Sequence, residues 1–301
     1  MKMLVIGGSG LIGSHVISCA SRRGHSVWGT SREAHDRANL LPWTSGDTSA
    51  AEHLLNDLQP HSVIYTAGLT WADACEDDPE MALTENARRP AALAALCERR
   101  HIHFTYLSSG YVFDGRHGPY AESAEANPIN AYGRSKLSGE HLVQEACGGH
   151  ALIARLICVY GSEARQKNFA CQVWRAMVQG RALDLPDDQI GNPTAAGDVA
   201  EWLLELITQR TTGLWHLAGP DPHCTRLEWA YRLVEAFQRC GVMPRPGFDL
   251  RGVPTAALKQ KAPRPLHAGL VSERQPAPEW RATDLRQTVL SMVKSPWHPA
   301  A

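Results

Sequence analysis

Tyr132 and Lys136 stand four residues apart in Ala131-Tyr-Gly-Arg-Ser-Lys-Leu-Ser-Gly-Glu140, a stretch of helical spacing that follows Asn127-Pro128. On a helix that spacing puts a phenol and an ammonium on one face, about 6 Å apart along the axis. A phenol with a pKa of about 10 is a poor acid–base group at neutral pH, and a neighbouring ammonium is expected to stabilise its phenolate and lower that value. The pair reads as a proton-transfer device, with Tyr132 delivering the proton and Lys136 tuning it while holding a ribose. A hydroxyl should complete it. The apolar run 103–107 leads into Ser108-Ser109-Gly110-Tyr111, and Ser109, taken over Ser108, would stabilise charge developing on a substrate carbonyl oxygen. The competing reading makes both serines turn-capping residues.

Such a device needs a hydride donor, and the N-terminal segment supplies a place for one. Gly7-Gly8-Ser9-Gly10-Leu11-Ile12-Gly13 follows an apolar run and opens an amphipathic pattern, the context in which a glycine loop binds a dinucleotide. Gly7 suits the tight turn, Gly10 lets backbone approach the pyrophosphate, and Gly13 lets helix and strand pack closely. Backbone N–H groups around Ser9, Gly10, Leu11 and Ile12 then face the phosphates at a helix N-terminus. After the second strand an NAD site usually carries Asp or Glu for the ribose hydroxyl, but this chain reads Gly29-Thr30-Ser31-Arg32-Glu33. Arg32 offers a fork for a 2′-phosphate and Ser31 a further donor, so NADP is preferred over NAD. The alternative leaves Arg32 in solvent with Glu33 at the ribose.

The elements that must hold these groups alternate. Strand candidates at 3–6, 26–28, 62–65, 103–107 and 151–156 are separated by helical patterns such as Leu11, Ile12, Val16, Cys19 and Ala20. The expected fold is α/β: a Rossmann-type, doubly wound parallel sheet, with ligands at the carboxyl ends of its strands. Residues 1–160 form the dinucleotide-binding part and 161–301 a smaller C-terminal substrate-binding lobe, with 195–218 returning to the sheet. In that second part helices are expected at 168–179, 198–208 and 225–239, a strand at 214–217, a Pro/Asp-rich stretch at 184–194, and an ordered, proline-rich loop at 241–281.

Bulk properties narrow the class. The chain has 301 residues, is 44% apolar, and carries 30 Lys plus Arg against 31 Asp plus Glu. There is no global field to draw nucleic acid or an anionic membrane, so anionic ligands must be captured locally. The eight cysteines form no CxxC pair and mostly sit in apolar stretches, which reads as buried thiols in a reducing compartment. The opening apolar run is too short for a signal peptide and no 18-residue apolar stretch follows, so a soluble, cytoplasmic protein is expected. The histidines show no metal-ligand spacing, and no metal is expected. A homodimer is an option the sequence leaves open.

Longer strings resemble a known family. Ser108-Ser-Gly-Tyr-Val-Phe-Asp-Gly115 is similar to the STDYVFDG of the dTDP-4-dehydrorhamnose reductase family, within the extended short-chain dehydrogenase/reductases. Asp188-Gln-Ile-Gly-Asn-Pro-Thr194 resembles its DQxGxPT, Gly213-Leu-Trp-His-Leu-Ala-Gly219 one of its late strands, and Arg264-Pro265 the start of its RPxxSxL. The resemblance covers nearly the whole chain. It implies NAD(P)H-dependent reduction of the C4 ketone of a nucleoside-diphosphate deoxysugar, with Ser109, Tyr132 and Lys136 as the catalytic set. It further implies that Asp47, with Thr48, contacts adenosine and that Ala67 and Gly68 line the cofactor channel. Three positions depart from the pattern. Gly110 replaces an Asp beside the catalytic hydroxyl, His15 stands where some members have a magnesium-binding Glu, and Leu266-His-Ala-Gly-Leu270 lacks the Ser.

A nucleotide-sugar needs cations for its diphosphate and flat surfaces for its base. Arg264, Arg175, Lys167, Asn168, Phe169 and Trp174 are candidates, with Gln189, Asn192 and Thr194 of the DQIGNPT stretch, Gly110 beside the hydroxyl, and Trp71 as a wall for the sugar. Two rival readings are a nucleotide-sugar 4-epimerase that keeps NAD bound, and a non-catalytic regulatory subunit resembling the β subunit of methionine adenosyltransferase. The absence of an acidic residue at Gly29 and Thr30 argues against the first, and retention of Ser109, Tyr132 and Lys136 against the second.

Overall fold

Met3-Leu-Val-Ile6, Ser62-Val-Ile-Tyr65 and Leu152-Ile-Ala-Arg-Leu156 are runs in which every side chain is buried, on both faces of the strand. Only a sheet covered by helices on either side satisfies such runs. The computed structural model, which describes residues 1–33, 39–43, 46–219, 223–274 and 282–294, has that architecture. Its first half runs β1 (Lys2–Ile6), α1 (Leu11–Arg22), β2 (Ser26–Ser31), β3 (Leu40–Pro42), α2 (Thr48–Leu58), β4 (Ser62–Tyr65), α3 (Ala72–Asp77), α4 (Pro79–Leu83), α5 (Arg89–Glu98), β5 (His103–Ser109), α6 (Ala131–Ala146) and β6 (Leu152–Leu156). The second half runs β7 (Val159–Tyr160), α7 (Phe169–Gln179), β8 (Ala182–Pro186), β9 (Ile190–Gly191), β10 (Thr194–Ala195), α8 (Ala196–Thr208), β11 (Gly213–His216), β12 (Cys224–Thr225), α9 (Arg226–Arg239), β13 (Asp249–Val253) and α10 (Leu285–Val293).

Seven strands form one parallel sheet in the order β11-β6-β5-β4-β1-β2-β3. The order reverses between β4 and β1, which opens a crevice at their carboxyl ends. Register brings those ends level: Ile6 pairs with Tyr65, Tyr65 with Tyr106, and Ser109 with Leu156. The glycine loop after β1, Thr66 to Trp71 after β4 and Ser109 at the end of β5 therefore open on the same side.

Each face has its own core. Val16, Cys19 and Ala20 of α1 meet Val199, Leu203 and Leu206 of α8 on one side, and Leu55, Leu93, Leu96 and Val143 pack on the other. Each fully buried Val or Leu of this kind contributes about 1.5–3 kcal/mol. Trp174, Met177, Trp229, Leu233, Phe237 and Val289 belong to a third cluster, drawn from the C-terminal half of the chain. All eight cysteines are free thiols, six of them buried.

The stretches read as loop are more regular than expected. Residues 182–186 pair in parallel with 249–253, so part of the proline-rich segment 241–281 is a strand, and the 184–194 stretch holds two further short strands. All three ribbons join segments far apart in sequence, and prolines within or beside them mask the pattern. Residues 275–281 of that segment lie outside the described residues. Among the elements without an expectation are β3, β7, β12 and α10. Among the described residues no helix is long and apolar enough to cross a membrane.

Candidate active site

A cavity of about 1410 Å³ runs along the carboxyl edge of the sheet and is lined on its far side by residues of the C-terminal half of the chain. One part of its wall is the glycine loop. Gly7 has φ +83°, and a Cβ on Gly13 would come within 2.4 Å of the Gly7 carbonyl oxygen, so both positions need glycine. The first turn of α1 has no side-chain cap and no acidic residue, which leaves its N–H groups and dipole directed at the cavity wall formed by Ser9, Gly10, Leu11 and Ile12. At the end of β2, buried Ser31 donates to Ser9 Oγ at 3.1 Å and exposed Arg32 borders the same cavity. An uncapped helix start, a cradle that a Cβ would fill and a cation in place of the usual acid fit a phosphorylated dinucleotide. Ala67 and Gly68 continue the wall, and Gly68 at φ +155° presses against Asn86.

Asp47 and Thr48 do not join them. Both are exposed, Asp47 caps α2 by accepting from Ala50 N at 2.9 Å, and neither lines the cavity. A cap that satisfies an orphan helix N–H already employs that carboxylate. Trp43, which the sequence did not single out, lines the cavity instead.

The middle of the cavity holds Ser109, Tyr132 and Lys136. Asn130 caps α6, accepting from Gly133 N at 2.8 Å, and so fixes the turn on which Tyr132 begins. Ser109 lies close enough to Tyr132 to influence its phenol, and its Oγ accepts from Tyr111 N at 3.2 Å. Burial pushes the Tyr132 phenol up to about 12, against the lowering effect of Ser109. This corrects the expectation that Lys136 lowers it. The Lys136 ammonium instead donates to the Leu107 carbonyl at 2.5 Å and lies 4.1 Å from the Tyr106 ring centroid, and burial draws it down to about 7. For both groups desolvation outweighs the neighbouring charges and dipoles. A phenol so raised stays protonated at neutral pH, the form a proton donor needs.

Substrate-side residues divide. Trp71, 69% exposed, Asn168, Gln189 and Arg264 line the cavity. Arg264 is held by Asp73 at 2.8 Å and reaches Gln260 at 3.2 Å, while its other terminal nitrogen is buried with no partner among the described residues. Lys167, Phe169 and Arg175 also line the cavity, but Trp174 does not.

Gly110 and Thr194 lie outside the cavity wall. Gly110 is buried outside the cavity wall, where a Cβ would lie 3.0 Å from the Ala268 oxygen and from Ile157 Cδ1. The glycine is there because the late loop packs on it. Thr194 donates to the Asn192 carbonyl at 3.2 Å and accepts from Gly219 N at 2.9 Å, and Asn192 ties Gly219 to Leu270. Both clasp the loop rather than face the cavity. His15 packs its imidazole on the Ser162 carbonyl at 3.0 Å, and burial lowers its pKa. No cluster of three or more His, Cys, Asp or Glu able to hold a metal occurs among the described residues.

Arg226 is a cavity residue that sequence reasoning missed. It is half-buried, with its guanidinium 5.0 Å from the Phe169 ring centroid, and neighbouring Cys158 and Tyr111 favour its charged form. The signal was present: Thr225 and Glu228 make a reciprocal capping box, which fixes Arg226 as the first residue of α9. A cation there opposes the helix dipole, an arrangement that local structure alone does not favour.

With this geometry in place, similarity to known proteins is specific. The model of the RmlD substrate binding domain family matches residues 1–295. The probable low-salt glycan biosynthesis reductase Agl14 of Haloferax volcanii is 38% identical over 225 residues, 73% of this chain and 75% of that protein. A dTDP-4-dehydrorhamnose reductase of Mycobacterium tuberculosis is 30% identical over 292 residues, 93% of this chain and 90% of the relative. The crystal structure of a dTDP-4-dehydrorhamnose reductase from Clostridium acetobutylicum superposes with a TM-score of 0.78 at 26% identity over 90% of each chain. A match that runs from end to end in sequence and in fold leaves one assignment: the chain belongs to the RmlD substrate binding domain family.

Proposed function

We propose that the chain is an NADPH-dependent reductase of the C4 ketone of a nucleoside-diphosphate 4-keto-deoxysugar. The observation that carries the reading is the placement of Ser109, Tyr132 and Lys136 in one cavity between the glycine loop and the cations of the C-terminal lobe. Gly7, Ser9, Gly10, Leu11, Ile12 and Gly13 would hold the cofactor pyrophosphate, and Ser31 and Arg32 the 2′-phosphate. Ala67 and Gly68 border its path, and Lys136 serves the ribose. A bound reduced nicotinamide supplies the hydride. Tyr132 gives its phenol proton to the C4 oxygen as that carbon becomes tetrahedral, and Ser109 steadies the oxygen as its charge grows. Arg226 and Arg264 neutralise the substrate diphosphate, while Trp71, Asn168 and Gln189 shape the sugar end.

The names of two relatives, a dTDP-4-dehydrorhamnose reductase and a glycan biosynthesis reductase, support this chemistry. The test offers nucleotide-linked 4-keto sugars to the purified chain with NADPH and follows absorbance of the reduced cofactor. Oxidation with at least one of them is expected. No oxidation, with NADPH still bound, would favour the regulatory-subunit reading, and interconversion of 4-hydroxyl epimers with bound NAD would favour the epimerase.

A further inference from the structure

Tyr132, Lys136 and Glu140 follow one another at four-residue intervals and so share one face of α6. That face meets the end of β5 residue by residue. Tyr132 neighbours Ser109, Lys136 donates to the Leu107 carbonyl, and Glu140 Oε1 accepts from Ser108 Oγ at 2.5 Å. Glu140 does not line the cavity and has no place in the proposed chemistry. It is nonetheless only 5% exposed and fully engaged, with Arg155 Nε 2.8 Å from Oε1 and a terminal nitrogen of Arg155 2.7 Å from Oε2. Arg155 is equally buried, 5.0 Å from the Phe113 ring centroid, and faces His216 Nε2 at 3.5 Å. His216 Nδ1 lies 3.0 Å from the Val271 carbonyl, and burial lowers the imidazole's pKa, so the neutral ring donates there and accepts from Arg155.

A buried ion pair adds little net stability compared with apolar residues of the same shape. Its location calls for another purpose. We propose that Glu140 is a positioning residue: clamped by Arg155 and Ser108, it fixes a negative charge one turn beyond Lys136 and thereby sets the charge and the seat of the ammonium beside Tyr132. Burial lowers Lys136, and Glu140 is the strongest influence holding it up, followed by Cys75 of α3. The Tyr106 ring and the Leu107 carbonyl face the ammonium from β5. Glu140 itself is faced by Ser108 and Tyr106 from β5 and by Arg155 from β6, with His216 of β11 behind.

The inference rests on the place of Lys136 in the hydride site, but its test needs no substrate. The full chain, labelled with ¹³C-lysine and without nucleotide, is titrated by NMR, with the Lys136 Cε signal identified by its loss in K136M. The native midpoint is expected near 7. In E140Q it should fall by about one unit or more, a tenfold fall in the ratio of ammonium to neutral amine at neutral pH. E140D and S108A keep the charge and should stay within about half a unit of the native protein. An unmoved midpoint in folded E140Q would overturn the proposal. So would an E140D that shifts as far as E140Q, because the side chain would then act only through packing. If E140Q does not fold, the double variant E140Q/R155M, which removes both members of the buried pair, takes its place: a midpoint lowered by about a unit supports the proposal, and an unmoved midpoint overturns it. Failure of the reductase assay with every 4-keto sugar would leave this titration intact, so the two readings fail separately.

Discussion

Ser108 Oγ donates to Glu140 Oε1 at 2.5 Å, which commits the first of two adjacent serines to the buried side of α6 and leaves the second, Ser109, to meet Tyr132. Ser109→Ala should therefore lower kcat by about 10²-fold, with KM for the sugar nearly unchanged, since it removes a hydrogen bond that strengthens as charge develops. Ser108→Ala should leave kcat within a few-fold and instead lower Tm, because the lost bond runs to a buried carboxylate. Steady-state kinetics and a melting curve on the two variants check this, and the reverse ranking would exchange the roles of the serines.

Arg32 is exposed on the cavity wall at the end of β2. A guanidinium that pairs with the 2′-phosphate contributes about 1.5–3 kcal/mol, so Arg32→Ala should raise KM for NADPH by roughly tenfold to a hundredfold and leave NADH nearly unchanged. Equal KM values for the two cofactors in the native protein would mean that Arg32 serves solvent.

Lys136 makes stability depend on pH with a definite sign. Its folded pKa, about 7, lies below the usual 10.5, so between those values the unfolded chain binds more protons and stability rises with pH. Relative to Lys136→Met, the native protein should gain roughly 3–5 kcal/mol from pH 7 to pH 10.5, and nothing further above it. Denaturant unfolding at a series of pH values measures the difference. A flat difference would show that the ammonium is not buried.

Arg226 begins α9 against its helix dipole and faces the cavity. If it neutralises a diphosphate, Arg226→Met should raise KM for the nucleotide-sugar by about tenfold or more while NADPH affinity stays native. Matching losses in NADPH binding would assign it to the lobe's fold instead.

The glycine loop and the Tyr132–Lys136 spacing were legible because each is a local rule: a turn followed by a helix, and two residues one turn apart. What the local pattern did not show depended on contacts from elsewhere in the chain. Gly110 is set by the Ala268 carbonyl, Thr194 by Gly219, and the strand 249–253 by its partner at 182–186. The pKa of Tyr132 moved opposite to expectation for the same reason, since spacing along a helix says which groups are near but not how much water surrounds them. Arg226 was readable in principle from its capping box, and Asp47 was carried to the cofactor by resemblance although it caps α2.

The central claim is that Tyr132 donates the proton in a nicotinamide-dependent reduction. The measurement that tests it most directly is turnover of NADPH with a nucleotide-linked 4-keto sugar by Tyr132→Phe, alongside NADPH binding followed by its fluorescence. The variant should bind NADPH as the native protein does while kcat falls by about 10²-fold or more. A variant that retains more than about half of the native kcat would contradict the account, because general acid catalysis by a single essential phenol cannot survive loss of its hydroxyl.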